Sequence, residues 1–368
     1  MSILPKLIAF YLPQFHPIPE NDAWWGKGFT EWTNVARAQP LFPGHYQPHL
    51  PADLGFYDLR LPEARRAQAE LARENGIHGF CYYHFWFDGR RVLERPFDEV
   101  LASGAPDFPF CLCWANENWT RTWDGLDEQV LLAQNYSDAD DIAHIRWLSR
   151  AFVDNRYIRI EGKPLFLVYR ATSLPDPRRT TALWREEAAR LGIGELFLAR
   201  VESNFLGERG DPRALGFDAA VEFQPDALTL FGQRKDRVPD ARVNIEGKWQ
   251  LRGGDLWFSY REMMDAMLAR APVSYPRFAG VSPGWDNTPR RGAGAGGITE
   301  CTPADFERWL RIVAEESRGR MRSGGPTGQA IFINAWNEWG ESCHLEPCQR
   351  WGHGYLEAAA RALAADGA

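Results

Sequence analysis

Eight short apolar runs, most followed by a segment of helical periodicity, recur from one end of the chain to the other. They are Leu7–His16, His78–Trp86, Phe108–Asn116, Lys163–Arg170, Leu196–Glu202, Ala219–Gln224, Arg277–Trp285 and Gln329–Trp339. Most are continuously apolar and do not alternate, the pattern of parallel strands covered on both faces. Between them, Pro62–Asn75 sets Ala67, Leu71 and Ala72 on one helical face, and Asp138–Val153, Thr181–Leu191, Asp305–Ser317 and Gly354–Ala365 behave alike. Thr302-Pro303-Ala304-Asp305 supplies an N-cap hydroxyl, a proline at the first helical position and an acid at the positive dipole end. Ser259-Tyr260-Arg261-Glu262 reads as a capping box that opens a helix through Leu268. The pattern predicts an α/β fold, one (β/α)8 TIM barrel over residues 1–368, in preference to a doubly wound sheet. The sixth crossover is the least regular.

Three connections, Pro17–Arg60, Glu117–Ser137 and Pro225–Phe258, are too long to be simple links. Each follows a strand, so in a barrel all three emerge at the C-terminal face, where barrel enzymes place their active sites. The net charge of −7 offers no basic footprint for nucleic acid. No apolar run approaches the length of a membrane span, and Met1–Phe10 does not read as a signal peptide, so a cytoplasmic chain is expected. The six cysteines form no CxxC pair, and His45 and His49 are not on a helix, so no metal site is expected. Asp138-Ala139-Asp140 has the DxD form of metal-dependent glycosyltransferases but sits where a helix begins, and acids are expected there from the dipole alone. Gly292–Gly297, following Arg290 and Arg291, resembles a phosphate cradle without the strand-to-helix context that such a loop needs. It reads as a flap beside the barrel mouth.

Aromatic residues are unusually frequent: 16 Trp, 11 Tyr and 22 Phe. Trp147, Trp184 and Trp309 fall in helical patterns and read as packing. Eleven others (Trp24, Trp25, Trp32, Trp86, Trp114, Trp119, Trp123, Trp285, Trp336, Trp339 and Trp351) sit at strand ends or just beyond them. Clustered on one face, some would plug the mouth and others would offer platforms for sugar rings.

Carboxylates accompany them. The eighth run ends Trp336-Asn337-Glu338-Trp339-Gly340-Glu341. In an extended chain the two acids would diverge, but a turn at Trp339-Gly340 would bring them together. Glycosidic cleavage needs such a pair, one group protonated and one ionised. Glu117, in Trp114-Ala115-Asn116-Glu117-Asn118-Trp119, is a rival member of the pair. Glu202 and Glu222 end the fifth and sixth runs, and His84 could orient an acid or a hydroxyl.

Four stretches carry a family resemblance: Tyr11-Leu12-Pro13-Gln14-Phe15-His16, Trp24–Trp32, Cys113–Trp119 and Trp336-Asn337-Glu338-Trp339. They resemble the WbsX-like proteins, a glycoside hydrolase family 99-like group often encoded among polysaccharide genes. That group is similar to the family 99 endo-α-mannosidases, which are metal-independent retaining barrels. The resemblance implies that Glu338 takes the proton of a sugar 2-hydroxyl and that Glu341 is the general acid/base, with Glu346-Pro347 keeping the downstream spacing. Gly340-Glu341-Ser342 stands where the mannosidases read His-Glu-Gly, a departure that bears on the sugar and on the tuning of the acid.

Together these readings make Glu338 and Glu341 the candidate catalytic residues. The candidate sugar-binding residues are Gln14, His16, Trp25, Glu31, Trp32, Tyr83, His84, Trp86, Trp114, Asn116, Glu117, Asn118, Trp119, Glu202, Glu222, Trp285, Asn337, Trp339 and Glu346. The expected substrate is a microbial oligo- or polysaccharide, cleaved or transferred without a cofactor. The alternatives are a glycosyltransferase of O-antigen or capsule assembly, for which no nucleotide-binding fingerprint is present, and a non-catalytic carbohydrate-binding barrel.

Overall fold

The computed structural model describes residues 4–121, 126–203, 206–226, 229–230, 242–245, 248–251, 256–291 and 295–364. Eight parallel strands form its centre: β1 (Lys6–Tyr11), β2 (Ile77–Phe87), β3 (Phe110–Trp114), β4 (Lys163–Val168), β5 (Phe197–Glu202), β6 (Ala219–Glu222), β7 (Arg277–Val281) and β8 (Ala330–Ile333). Each pairs with its neighbours in sequence, and β1 pairs with both β8 and β2, so the sheet closes into a barrel. Every residue of β3, β5 and β8 is buried, because one face meets the barrel interior and the other meets the helices. That is why these runs are apolar without alternation.

Two short helices, α1 (Pro19–Trp25) and α2 (Glu31–Arg37), lie within the first long connection. The remaining principal helices are α3 (Pro62–Glu74), α4 (Arg95–Ser103), α5 (Asp138–Phe152), α6 (Pro177–Arg190), α7 (Tyr260–Leu268), α8 (Pro303–Arg322) and α9 (Gly354–Ala364). Thr302 caps α8 by accepting the Asp305 N–H at 3.2 Å, as its sequence predicts. Ser259 precedes α7 without a side-chain cap, so the capping box expected there does not form. Helix α4, too short for its period to stand out, ends at Gly104 in the left-handed conformation that glycine favours. The irregular crossover is the one into β6, whose described residues carry two short 3-10 turns, Leu206–Glu208 and Pro212–Leu215, and no α-helix.

Strands β1 and β8 end earlier than their apolar runs. The Leu12 N–H goes to Asn337 Oδ1 at 2.7 Å, and Asn337 Nδ2 donates to the Leu12 carbonyl at 3.0 Å. One side-chain amide thus replaces the ladder just past the end of β1. Asn337 and Glu338 belong instead to a small antiparallel pair with Cys343–His344.

Side-chain parity then decides what each strand end contributes, since successive residues point to opposite faces. On β2, Tyr83 and Phe85 face the mouth, whereas His84 and Trp86 meet α5 through His144 and Asp140. Trp114 likewise packs on His144 and Trp184, in α5 and α6. Glu222 lies on the helix side, paired with Arg270 at 2.8 Å and lining a groove with Trp309 and Arg320 of α8. Glu202 stands beside it in register and binds Arg277 at 3.1 Å. Among the described residues no helix is long and apolar enough to cross a membrane.

Close approach of β6 and β7 depends on Gly280, where an added Cβ would collide with the Glu222 carbonyl oxygen. Gly280→Ala is expected to destabilise the barrel by about 1–3 kcal/mol, measured as a lower denaturant midpoint at unchanged slope. An unchanged midpoint would mean that this strand pair yields freely.

Candidate active site

Directly after Asn337–Glu338, the chain makes a single helical turn at Trp339–Glu341 and leaves it through Ser342 in the left-handed region, φ 51°. The turn brings Glu338 and Glu341 onto one guanidinium. Arg290 approaches Glu338 Oε2 at 2.6 Å and Glu341 Oε1 at 2.8 Å, and its Nε donates to Glu31 Oε1 at 2.7 Å. Glu31 is wholly buried at the start of α2, with Gln14 Nε2 and Asn34 Nδ2 each at 3.5 Å. Gly340 makes the cluster possible, because a Cβ there would overlap the Glu31 carboxylate and crowd Arg290 Nε.

Three carboxylates around one cation leave an excess of negative charge. Burial pushes the Glu338 carboxyl up to about 7; Arg290 pulls against this, and Glu341 and Glu31 add to it. The same acids hold the Arg290 guanidinium protonated against the desolvation that burial imposes. Glu341 is fixed from the other side by Trp285, whose indole N–H donates to Oε2 at 3.1 Å. The backbone N–H of Asp286 donates to the Glu341 carbonyl at 2.8 Å.

Above this floor lies a cleft of about 370 Å³, within the range of small-molecule and sugar sites. Of the sequence-predicted residues, Gln14, Trp25, Tyr83, Glu117, Asn118, Trp119, Trp285, Glu338 and Glu341 line it. Glu117 stands on the wall, 2.8 Å from Arg170; burial raises its carboxyl pKa despite that partner. Asn118 Oδ1 accepts the Gln134 N–H at 2.7 Å, bracing the loop. The cleft also includes Asn21, Trp24, Tyr169, Phe223, Asn334 and Arg290, none of which was predicted as a site residue. Arg290 had one available signal: buried acids at a strand end require a cation. Nothing in the local sequence says which arginine supplies it.

Other predicted residues lie elsewhere. Glu202, Glu222, His84, Trp86 and Trp114 belong to the helix side, by the parity described above. His16 is buried and bonded to the Pro13 carbonyl at 3.0 Å. Asn116 is tied to Arg170 N–H and C=O, both at 2.8 Å, and Asn337 is fully buried on Leu12. Trp32 donates to the Tyr57 carbonyl at 2.8 Å and packs on Trp339 beneath the floor. Trp339 stacks on His344, with ring centroids 3.7 Å apart. Glu346 is inside, receiving Trp339 Nε1 at 2.6 Å, Tyr57 OH at 2.8 Å and Gln68 Nε2 at 2.7 Å. Burial pushes its carboxyl to about 7 even so. Asp138 and Asp140, the DxD pair, bond Arg179 and Trp86. Trp123 and Gly292–Gly294 lie outside the described residues.

A family model described as Glycosyltransferase WbsX matches residues 7–359. The chain belongs to the WbsX family. Proteins named WxcX from two strains of Xanthomonas campestris pv. campestris are 47% and 46% identical to it over 361 residues. Those matches take in 97% of this WbsX-family chain and 49% of the relatives, so the chain spans about half their length. Among solved structures, the GH99 endo-α-mannosidase of Bacteroides thetaiotaomicron aligns over 98% of this chain and 96% of its own, with a TM-score of 0.56 at 15% identity. A glycoside hydrolase-like protein aligns over 98% and 94%, with a TM-score of 0.61 at 14% identity. These two share the barrel fold of the WbsX-family chain.

The Glu346 contacts carry a stability test. Gln68 already accepts from Tyr11 OH at 2.7 Å through its oxygen, so its amide N–H must face residue 346. Glu346→Gln would leave one buried donor unmatched, with an expected loss of about 1–3 kcal/mol in chemical denaturation. Full stability in that variant would show that the amide chain reorients without cost.

Proposed function

We propose that this protein breaks, or breaks and re-forms, glycosidic bonds in a microbial polysaccharide or its precursor, with Glu338 and Glu341 as the reacting acids. The observation that carries the reading is their convergence on Arg290 at the floor of a Trp- and Tyr-lined cleft. Paired acids in one site favour opposite protonation states; because burial raises the Glu338 carboxyl, a base at Glu338 requires the shared proton to sit on Glu341 in the substrate complex.

The proposed sequence conserves protons at each step. Ionised Glu338 takes the proton of the sugar 2-hydroxyl as that oxygen attacks the anomeric carbon. The bond from that carbon to the leaving oxygen breaks, and protonated Glu341 gives its proton to the departing hydroxyl. A water or a second sugar hydroxyl then opens the anhydro ring at the anomeric carbon and yields its proton to Glu341. Glu338 returns the first proton to the 2-oxygen. Two displacements at one carbon retain its configuration. The Trp285 N–H orients Glu341, and Arg290 positions both acids.

Glu341→Gln is expected to lower turnover of a cleaved polysaccharide by roughly 10²–10⁴-fold, the usual scale of general acid catalysis, while glycan binding persists. Turnover at the unaltered rate in that variant removes Glu341 from the chemistry. The pH profile has a definite sign. A base must be ionised, and the Glu338 carboxyl lies near 7. Hence kcat/KM is expected to fall about tenfold per unit as pH drops below about 7, because the free enzyme's base is then protonated. A flat acid limb down to pH 5 would exclude Glu338 as that base.

The family's description as a glycosyltransferase favours a second reading, transfer from a nucleotide sugar. Thermal unfolding with UDP-glucose, GDP-mannose and dTDP-rhamnose separates the two. Saturable stabilisation by any of them supports the transferase, and its absence supports action on a glycosidic bond.

A further inference from the structure

Beside the catalytic cleft lies a second pocket of about 390 Å³, built from the first long connection and the segments after β7 and β8. Trp285 lines both cavities. Its N–H is committed to Glu341, and among the described residues no other aromatic ring stacks on it. The indole is therefore a partition with the reacting acid at its edge.

The floor of this pocket is prearranged and polar. Asp286 Oδ2 holds His45 Nε2 at 2.8 Å and Gln47 Nε2 at 2.6 Å, and Gln47 also reaches Ser342 Oγ at 2.6 Å. His49 and His344 meet at 3.0 Å, and burial lowers the pKa of both, keeping them neutral. At the rim, the Arg350 guanidinium lies over two rings, 4.7 Å from the Tyr46 centroid and 5.0 Å from that of Trp351. No carboxylate pairs with Arg350 among the described residues. A stacked guanidinium keeps its N–H edge available for oxygen acceptors.

Aromatic surface, a fixed donor fork, a buried carboxylate and neutral imidazoles form a set suited to a polyhydroxylated ring. The mechanism uses none of them. We propose that this second pocket is an additional saccharide subsite, which holds a glycosyl unit across Trp285 from the reacting acids. The inference rests on the carbohydrate reading of the main cleft and extends it. The protein would engage sugar on both sides of the indole that orients Glu341, and a bound unit there would bear on the Glu341 carboxylate through the Trp285 N–H and on its backbone carbonyl through the Asp286 N–H.

Ligand-observed saturation-transfer NMR on the full chain tests this, with methyl α-mannoside, methyl α-glucoside and methyl α-rhamnoside as probes. Trp119→Ala alters the main cleft, whereas Trp351→Ala and Arg350→Ala alter only the second pocket. Each single change is expected to remove roughly half of the transfer to at least one pyranoside, and Trp119→Ala combined with Arg350→Ala nearly all of it. Circular dichroism and thermal unfolding establish which variants are folded, and Arg350→Ala, an exposed position, serves if Trp351→Ala is not. If Trp119→Ala alone removes all transfer, the second pocket is no saccharide site and the main-cleft reading stands. If the second-pocket changes alone remove it, the subsite stands and the cleft reading falls. No transfer from any probe to the unaltered protein overturns both.

Discussion

One largely buried arginine holds the proposed active site together. Arg290 meets Glu31, Glu338 and Glu341 at ion-pair distance, and these residues come from the first, seventh and eighth strand connections. Three acids this close would repel one another strongly in a poorly solvated space. A single guanidinium with several donors can satisfy all of them at once, which an ammonium would do less well. Even so, burial, with Glu341 and Glu31 adding to it, pushes the Glu338 carboxyl up to about 7. The arrangement therefore fixes position and raises basicity together, the combination asked of a base that acts on a sugar hydroxyl.

Beneath that cluster, polar contacts replace strand ladder where the barrel strands end. Asn337 takes over the hydrogen bonds of Leu12, and Glu346 gathers three donors from Trp339, Tyr57 and Gln68. The turn bearing Glu338 and Glu341 is thus anchored on both sides by buried side chains. Such second-layer support is what keeps catalytic groups within a few tenths of an ångström of a working geometry. It also explains why several polar residues of the recognisable motifs never reach the cleft.

The aromatic surplus divides in the same way. Trp24, Trp25, Trp119 and Trp285 line the main cleft, and Trp351 lines the neighbouring pocket. Trp86, Trp114, Trp184 and Trp309 fill the layer between barrel and helices, where a large ring displaces water and closes voids. Composition alone made all of these equivalent.

The periodic alternation of apolar runs and helical segments determined the barrel, because strands buried on both faces admit few other closures. The clustering of long connections after strands pointed to the end that carries the proposed site, and the meeting of Glu338 and Glu341 was legible from the motif and from Gly340. What the tertiary structure alone decided was facing and partnership. A one-residue difference in where a strand starts reverses every side chain, which placed Tyr83 in the cleft and His84 behind it, and sent Glu202 and Glu222 to the helices. Arg290 lies 48 residues from Glu338 and 259 from Glu31. No local pattern encodes a partner at such separations, because the contact exists only once eight strands have closed and brought three loops to one point.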